Sequence, residues 1–243
     1  TATPITSFTV SATDNSGNPP SFTASGLPAG LIFDTETNTF SGTITEPGSH
    51  TVTITASDGS NQSTQDIVFT VADKTGPAIT SSVTTVNAVT GTAITAITVS
   101  ATDNSGATPT VTLMNLPAGL SFNSSTNEIS GTPVIPSNGT PFEATITAED
   151  GSGNISTQTI SFTIADGTKP VIVASETITA STGTALRPIA VTVSDNSGGS
   201  VTVIVDPLPA GITYDTASRT IIGTPTTPVS GFEATITATD PSG

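Results

Sequence analysis

Along most of the chain, apolar residues alternate one for one with hydroxyl-bearing ones. The runs Thr51-Val-Thr-Ile-Thr-Ala56, Ala144-Thr-Ile-Thr-Ala148 and Ala234-Thr-Ile-Thr-Ala-Thr239 are typical. A period of two places the apolar side chains on one face of an extended segment and threonine on the other. Threonine suits the solvent face, because its branched Cβ is stiff and fits the pleat. The runs are short and are broken by clusters of Gly, Pro, Asn, Asp and Ser, the punctuation of turns. The pattern predicts an all-β protein. An acidic chain with only 34% apolar residues could be disordered. Strict alternation argues instead for half-buried strands.

Four landmarks recur in one order. Asp-Asn-Ser-Gly occupies Asp14–Gly17, Asp103–Gly106 and Asp195–Gly198. Leu-Pro-Ala-Gly follows at Leu27–Gly30, Leu116–Gly119 and Leu208–Gly211. A Gly-Thr pair comes next at Gly42, Gly131 and Gly223, and then an Asp-led turn after Thr-Ile-Thr-Ala at Asp58, Asp150 and Asp240. The Asp-to-Leu offset is 13 residues and the Leu-to-Gly offset 15 in every copy, and the copies repeat after 89 and then 92 residues. That period is too long for a solenoid unit and fits a whole immunoglobulin-sized sandwich.

In the middle copy the alternation predicts strands over Ile79–Thr85, Ala93–Thr102, Thr108–Asn115, Leu120–Phe122, Glu128–Gly131, Phe142–Glu149 and Ile155–Ala165. About seven strands is the number an Ig-like sandwich needs. The expected fold is a tandem array of three Ig-like or cadherin-like β-sandwich repeats, 1–73, 74–166 and 167–243. The outer two are expected to be truncated, the first lacking its first strand and the third its last. The sequence is accordingly read as a fragment of a longer polypeptide, cut out of register with its repeats; donor-strand pairing is the alternative way to complete such sheets. Phe33, Phe122 and Tyr214 stand six residues after the Leu of Leu-Pro-Ala-Gly in each copy. Equivalent placement predicts a core plug rather than a ligand-stacking platform.

The segment Leu116-Pro-Ala-Gly-Leu-Ser-Phe-Asn-Ser-Ser-Thr-Asn-Glu-Ile-Ser-Gly-Thr-Pro133 resembles the signature of the bacterial putative-Ig, or cadherin-like, repeat family. Such repeats form the stalks of large surface adhesins, including serine-rich and biofilm-associated proteins of staphylococci and streptococci. The resemblance runs through the whole chain, copy by copy. It implies a module of the bacterial cell surface, wall-anchored or secreted, acting as a spacer or in adhesion and often stiffened by calcium.

Composition removes most other function classes. Four basic residues (Lys74, Lys169, Arg187 and Arg219) against a net charge of −15 cannot build a phosphate-binding patch, so nucleic acid and anionic membranes are poor partners. Cysteine is absent, which excludes disulfides, thiolate metal sites and a cysteine nucleophile. No signal peptide and no apolar run long enough to span a bilayer occurs in the sequence. The single histidine, His50, aligns with Phe142 and Phe232, a packing position rather than a general base. Glu143 and Glu233 belong to different copies and cannot form one acid/base dyad. Lys74 and Lys169 lie in linkers, which excludes an isopeptide crosslink needing a buried lysine. The chain is not expected to be an enzyme.

The acidic residues recur at turns. The linkers Asp73-Lys-Thr-Gly-Pro77 and Asp166-Gly-Thr-Lys-Pro170 share one Asp-to-Pro offset. In an Ig-like sandwich the loop after the second strand and the loop before the last lie at one end, where the chain also enters. Folding should therefore bring Asp73, Asp103 and Asp150 together, and Asp166, Asp195 and Asp240 likewise. Asp14 and Asp58 would be the remainder of a third such site. Three carboxylates among so few basic residues call for a cation, and Ca2+ accepts six to eight oxygen ligands in flexible geometry. Asn104, Asn154 and Asn196 are helpers of the right type. The competing reading is plain turn chemistry, in which Asp bonds its own backbone and Gly supplies positive φ. Three roles are weighed: a calcium-stiffened stalk whose partners are its neighbouring repeats; direct binding of a host-surface ligand, or self-association; and ice binding, which twisted and interrupted strands disfavour.

Overall fold

The computed structural model describes residues 3–15, 17 and 19–242, and every regular element among them is a strand. Thr1 and Gly243, the expected outer bounds of the first and third copies, and Ser16, within the Asp14–Gly17 motif, lie outside the described residues, as do Ala2 and Asn18. The residues group into two compact units: 1–82 with 98–113 and 146–158, and 83–97 with 114–145 and 159–243. The first copy lies wholly in one unit and the third in the other, while the middle copy contributes to both.

In the first unit, β1 (Phe8–Thr9), β3 (Leu31–Asp34) and β4 (Thr39–Gly42) form one sheet in the order β1-β4-β3. A second sheet has the order β2-β5-β6, from β2 (Ser21–Ser25), β5 (Gly48–Ser57) and β6 (Gln62–Val71). The alternation in β5 has the consequence expected of it: Val52 and Ile54 are buried while Thr51 is exposed. Phe22, Leu31, Phe40, Ile44, Val52 and Ile54 form the core. Phe40 is its centre, fully buried, with the rings of Phe33 and Phe8 at centroid distances of 4.6 and 5.1 Å and Phe69 at 6.0 Å. Phe33 thus packs inward. His50 pairs across the sheet with Phe69, and its Nε2 donates to the Glu46 carbonyl at 2.9 Å.

The middle copy supplies β7 (Ala78–Ser81), β8 (Thr85–Val89), β9 (Ile97–Thr102), β10 (Thr110–Met114), β11 (Leu120–Asn123), β12 (Glu128–Gly131), β13 (Phe142–Glu149) and β14 (Ile155–Ala165). The single strand expected over Ile79–Thr85 is divided. β7 pairs antiparallel with β9, whereas β8 leaves that sheet and pairs in parallel with β14, Thr85 to Val89 facing Ser161 to Ala165. Alternation cannot reveal such a switch, because the side chains keep their period while the hydrogen-bonding partner changes. The strand expected over Thr108–Asn115 ends at Met114, since Asn115 turns to a φ of 60°. The strand expected from Ala93 begins only at Ile97.

The third copy contains β15 (Val171–Val173), β16 (Ile189–Ala190), β17 (Thr192–Ser194), β18 (Thr202–Asp206), β19 (Ile212–Asp215), β20 (Thr220–Gly223) and β21 (Thr235–Thr239). They pair as β15-β17, β16-β20-β19 and β18-β21. Val191, between β16 and β17, is buried in a core with Val201, Val203, Val205, Ile212 and Ile221, and Tyr214 packs against it.

One close contact explains two of the sequence landmarks. The last residue of Leu-Pro-Ala-Gly faces the Gly of the Gly-Thr pair across a hairpin. A Cβ on Gly30, Gly119 or Gly211 would stand 1.9–2.1 Å from the carbonyl oxygen of Thr43, Thr132 or Thr224. A Cβ on Gly42, Gly131 or Gly223 would meet the opposing glycine's carbonyl at 2.1–2.3 Å. All six glycines have φ between 84° and 131°. Both the space and the backbone conformation demand glycine there. Gly119→Ala should therefore lower stability by about 2–5 kcal/mol, combining αL strain with overpacking. A lower urea midpoint at unchanged slope would show it.

The hairpin turn that follows uses an aspartate in two copies and an asparagine in one. Asp34 Oδ1 accepts the backbone N–H groups of Glu36 and Thr37, and these bonds hold its carboxyl below the ordinary value of 3.8. In the third copy the Ser218 hydroxyl and then the Ala217 N–H do the same for Asp215. Asn123 makes the equivalent bond to Ser125 N–H with a group that does not titrate. A carboxyl whose folded value is depressed contributes stability that is fully present above its unfolded value and is lost as pH falls through the folded one. Thermal melts in acid should thus decline less for an Asp34→Asn, Asp215→Asn variant than for the parent chain once the pH drops below 3.8; parallel declines would contradict this assignment.

Candidate functional site

Strand ends place the recurring aspartates. Asp103 and Asp150 are the first residues beyond β9 and β13, and Asp73 lies two beyond β6. Asp166, Asp195 and Asp240 each follow directly on β14, β17 and β21. In the first unit, Asp73, Asp103 and Asp150 converge so that one carboxylate oxygen from each lies within 4.8 Å of the others. Asp166, Asp195 and Asp240 do the same in the second unit. Asp14 and Asp58 belong to neither group. Asp58 closes its own turn, accepting from the N–H groups of Ser60 and Asn61.

Turn chemistry is present at each cluster, but at Asp73, Asp166 and Asp195 it uses only part of the carboxylate. Asp73 Oδ1 accepts from Thr75 N–H at 3.0 Å, and Asp166 Oδ1 from Thr168 N–H at 3.0 Å. Asp103 Oδ2 accepts the Ser105 hydroxyl and N–H, at 2.6 and 2.8 Å. Asp195 Oδ2 likewise accepts both donors of Ser197. Asp240 Oδ1 accepts from Ser242 N–H. Asp150 is 7% exposed and the best supplied, receiving Ser152 N–H and Asn154 N–H on Oδ1 and the Asn154 amide on Oδ2. The remaining oxygens tell a different story. Asp73 Oδ2, Asp166 Oδ2, Asp195 Oδ1 and the neighbouring Asn196 Oδ1 are buried without a hydrogen-bond partner. A buried unsatisfied acceptor costs about 1–3 kcal/mol, and more when charged. The local turns therefore leave an electrostatic debt at both clusters.

Asp103, Asp150 and Asp195 are nonetheless held in the ionised form. The Ser105 hydroxyl, then its N–H, depress Asp103, against burial and the nearby Asp150 charge. The Ser197 hydroxyl and N–H depress Asp195. For Asp150 the largest single influence is burial, which raises it, but the Asn154, Ser152 and Gly153 bonds together outweigh it and the carboxyl lies low. Negative charge is thus fixed in both clusters by donors from the same loops.

The three candidate helpers differ. Asn154 buttresses Asp150 through its amide nitrogen. Asn104, with its amide nitrogen turned toward Asp103, donates to that carboxylate at 3.2 and 3.3 Å. Asn196 instead donates to the Val134 carbonyl and the Thr168 hydroxyl, which leaves its oxygen free of any donor. Two residues absent from the sequence-based set also reach the second cluster. The Thr90 hydroxyl donates to Asp166 Oδ1 at 3.2 Å, and lies 2.9 Å from the Thr168 hydroxyl. In the sequence Thr90-Gly91 reads only as a turn.

The arrangement defines a class: an all-β array of Ig-like repeats with oxygen-only acidic clusters at strand ends. The chain belongs to the family described as "Putative Ig domain", whose pattern matches residues 1–72, 76–165 and 169–243. It is 37% identical over 147 residues to the "Serine-rich adhesin for platelets" of Staphylococcus aureus strain MRSA252, covering 60% of this chain and 11% of that protein. The protein of the same name from strain MSSA476 is also 37% identical over 147 residues, with 6% of its length covered. The chain therefore spans a small fraction of these relatives. Among solved structures it is similar to mouse cadherin-23 repeats EC22–24 (18% identity, TM-score 0.39, 91% of this chain and 80% of that one). It is similar too to protocadherin gamma B2 domains 3–6 (17% identity, TM-score 0.41, 90% and 60%). The chain is a region of Ig-like repeats of this family, similar over part of its length to staphylococcal adhesins.

Proposed function

We propose that this chain is a stalk segment of a bacterial cell-surface adhesin, built of repeats 1–73, 74–166 and 167–243, whose two junctions are stiffened by Ca2+. The buried carboxylate oxygens without a donor, present at both clusters, carry this reading. Asp73, Asp103 and Asp150 would hold one ion, and Asp166, Asp195 and Asp240 with Asn196 another. Asn104 and Asn154 would act mainly by orienting their aspartates. The donor set is oxygen alone, from carboxylates and an amide, which suits a hard cation. Loops of this kind fit the flexible coordination of calcium better than the octahedral demand of magnesium.

The ion would supply positive charge where ionised carboxylates crowd, and would tie each linker aspartate to two loops of the repeat that follows. Without it, like charges within 4.8 Å repel, and a joint held by nothing else loosens. A spacer that resists bending would project a binding region from the cell surface and so support adhesion or biofilm formation. The identity with staphylococcal adhesins supports the surface setting of this reading. No helix among the described residues is long and apolar enough to cross a membrane.

Calcium should raise the thermal midpoint relative to chelator, by an amount equivalent to roughly 2.7 kcal/mol for each occupied site when free calcium is a hundred times the dissociation constant. An Asp150→Asn, Asp240→Asn variant should lose most of that gain, and magnesium should give little of it. Identical melting curves in calcium and in chelator would contradict the proposal.

A further inference from the structure

The two junctions are built differently. In the second unit the segment between β12 and β13, Thr132–Pro141, is longer than its counterpart Thr43–Pro47 in the first copy. It is anchored along its length. Gly91 N–H donates to the Pro133 carbonyl, Val134 N–H to the Ala118 carbonyl, and Ser137 N–H to the Ile164 carbonyl at 2.8 Å. The buried Ser137 hydroxyl accepts in return from Ile164 N–H. This platform holds out Asn138 in an αL conformation, with φ of 48°.

The Asp195–Gly198 turn of the third copy meets that platform directly. Asn138 Nδ2 donates to the Ser197 carbonyl at 2.9 Å, and Asn196 Nδ2 donates to the Val134 carbonyl at 3.0 Å. Two asparagines, one on each side, thus exchange side-chain-to-backbone bonds. A second tie is the linker itself. Gly167 N–H donates to the Thr90 hydroxyl at 2.9 Å, and a Cβ on Gly167 would stand 2.4 Å from Val89 Cγ1, so the linker lies tight against the end of β8.

The corresponding place in the first unit is open. Pro47, Gly48, Asp73, Lys74, Ser105 and Ser152 line a groove of about 540 Å³. Among the described residues, the hydrogen bonds of Asp103, Ser105 and Gly106 stay within their own loop. The carbonyl of Glu46, in the shorter first-copy segment, is taken by His50.

We infer that the junction between the middle and third copies is clamped by the polypeptide itself, through Asn138, Asn196 and the platform beneath them, whereas the junction between the first and middle copies relies on its cation. The contrast rests on the calcium reading above; the clamp does not. Under calcium depletion the chain would yield at one joint rather than at both.

The chain has no cysteine, so introduced pairs can be spin-labelled cleanly. Exposed positions serve: Ser124→Cys with Thr216→Cys reports on the second junction, and Thr35→Cys with Thr157→Cys on the first. In chelator, the distance distribution across the second junction should stay as narrow as in calcium, while that across the first broadens. Adding Asn138→Ala and Asn196→Ala, still in chelator, should broaden the second to match the first. Asn138→Asp tests the same bond with little change of size, because a carboxylate cannot donate to the Ser197 carbonyl. A second junction that broadens in chelator without these substitutions, or stays narrow with them, would overturn the clamp. A first junction indifferent to chelator would contradict the calcium reading and the contrast, with the clamp still decided by the asparagine variants.

Discussion

Ionised carboxylates crowded at the ends of β-strands are the constraint around which this molecule is organised. Each cluster gathers three aspartates from three separate segments, in a chain of net charge −15 with four basic residues. Desolvation and mutual repulsion both oppose such an arrangement. The loops answer part of the cost by bonding both oxygens of Asp150, and one oxygen of Asp73 and Asp195, to their own donors. They do not answer all of it, because the turns at Asp73, Asp166 and Asp195 carry no side-chain amide that reaches the second oxygen, as the Asn154 amide does at Asp150. The oxygens left over at Asp73, Asp166 and Asp195 are where an external cation has a reason to bind. At these three residues turn chemistry and cation binding use different oxygens of the same side chain, and one does not replace the other.

Around that constraint the sandwiches act as a frame. Strands such as β9, β13 and β21 end where an Asp follows, so the register that buries Val99, Ile146 and their equivalents also fixes the level at which the carboxylates emerge. Facing glycines such as Gly119 and Gly131 hold each hairpin closed where a single methyl group would not fit. Packing and site are coupled through the backbone. Substitutions far from the aspartates can therefore disturb the clusters by shifting a strand end.

Much of this was legible in the sequence because it depends on local rules. Alternation marked the strands, and equal offsets between landmarks revealed the copies. Leu-Pro-Ala-Gly and Gly-Thr could be seen to recur before it was clear that their glycines touch. The meeting of Asp73 with Asp103 and Asp150 followed from which loops share an end of an Ig-like sandwich. What escaped was non-local. The division of the first strand into β7 and β8 leaves no trace in a period of two. The different orientations of Asn104 and Asn196 depend on what each amide meets, Asp103 in one case and Val134 in the other. Thr90 reads as an ordinary turn residue until the fold sets it beside Asp166. The longer Thr132–Pro141 segment was visible as a change of repeat length, yet its docking role required the partner turn.

A crystal grown in calcium and measured for anomalous scattering tests the central claim most directly. The account predicts two calcium peaks, one bounded by Asp73, Asp103 and Asp150 and one by Asp166, Asp195 and Asp240, with the spare carboxylate oxygens among the ligands. Ordered aspartates at both places, with no anomalous peak between them at saturating calcium, would contradict it.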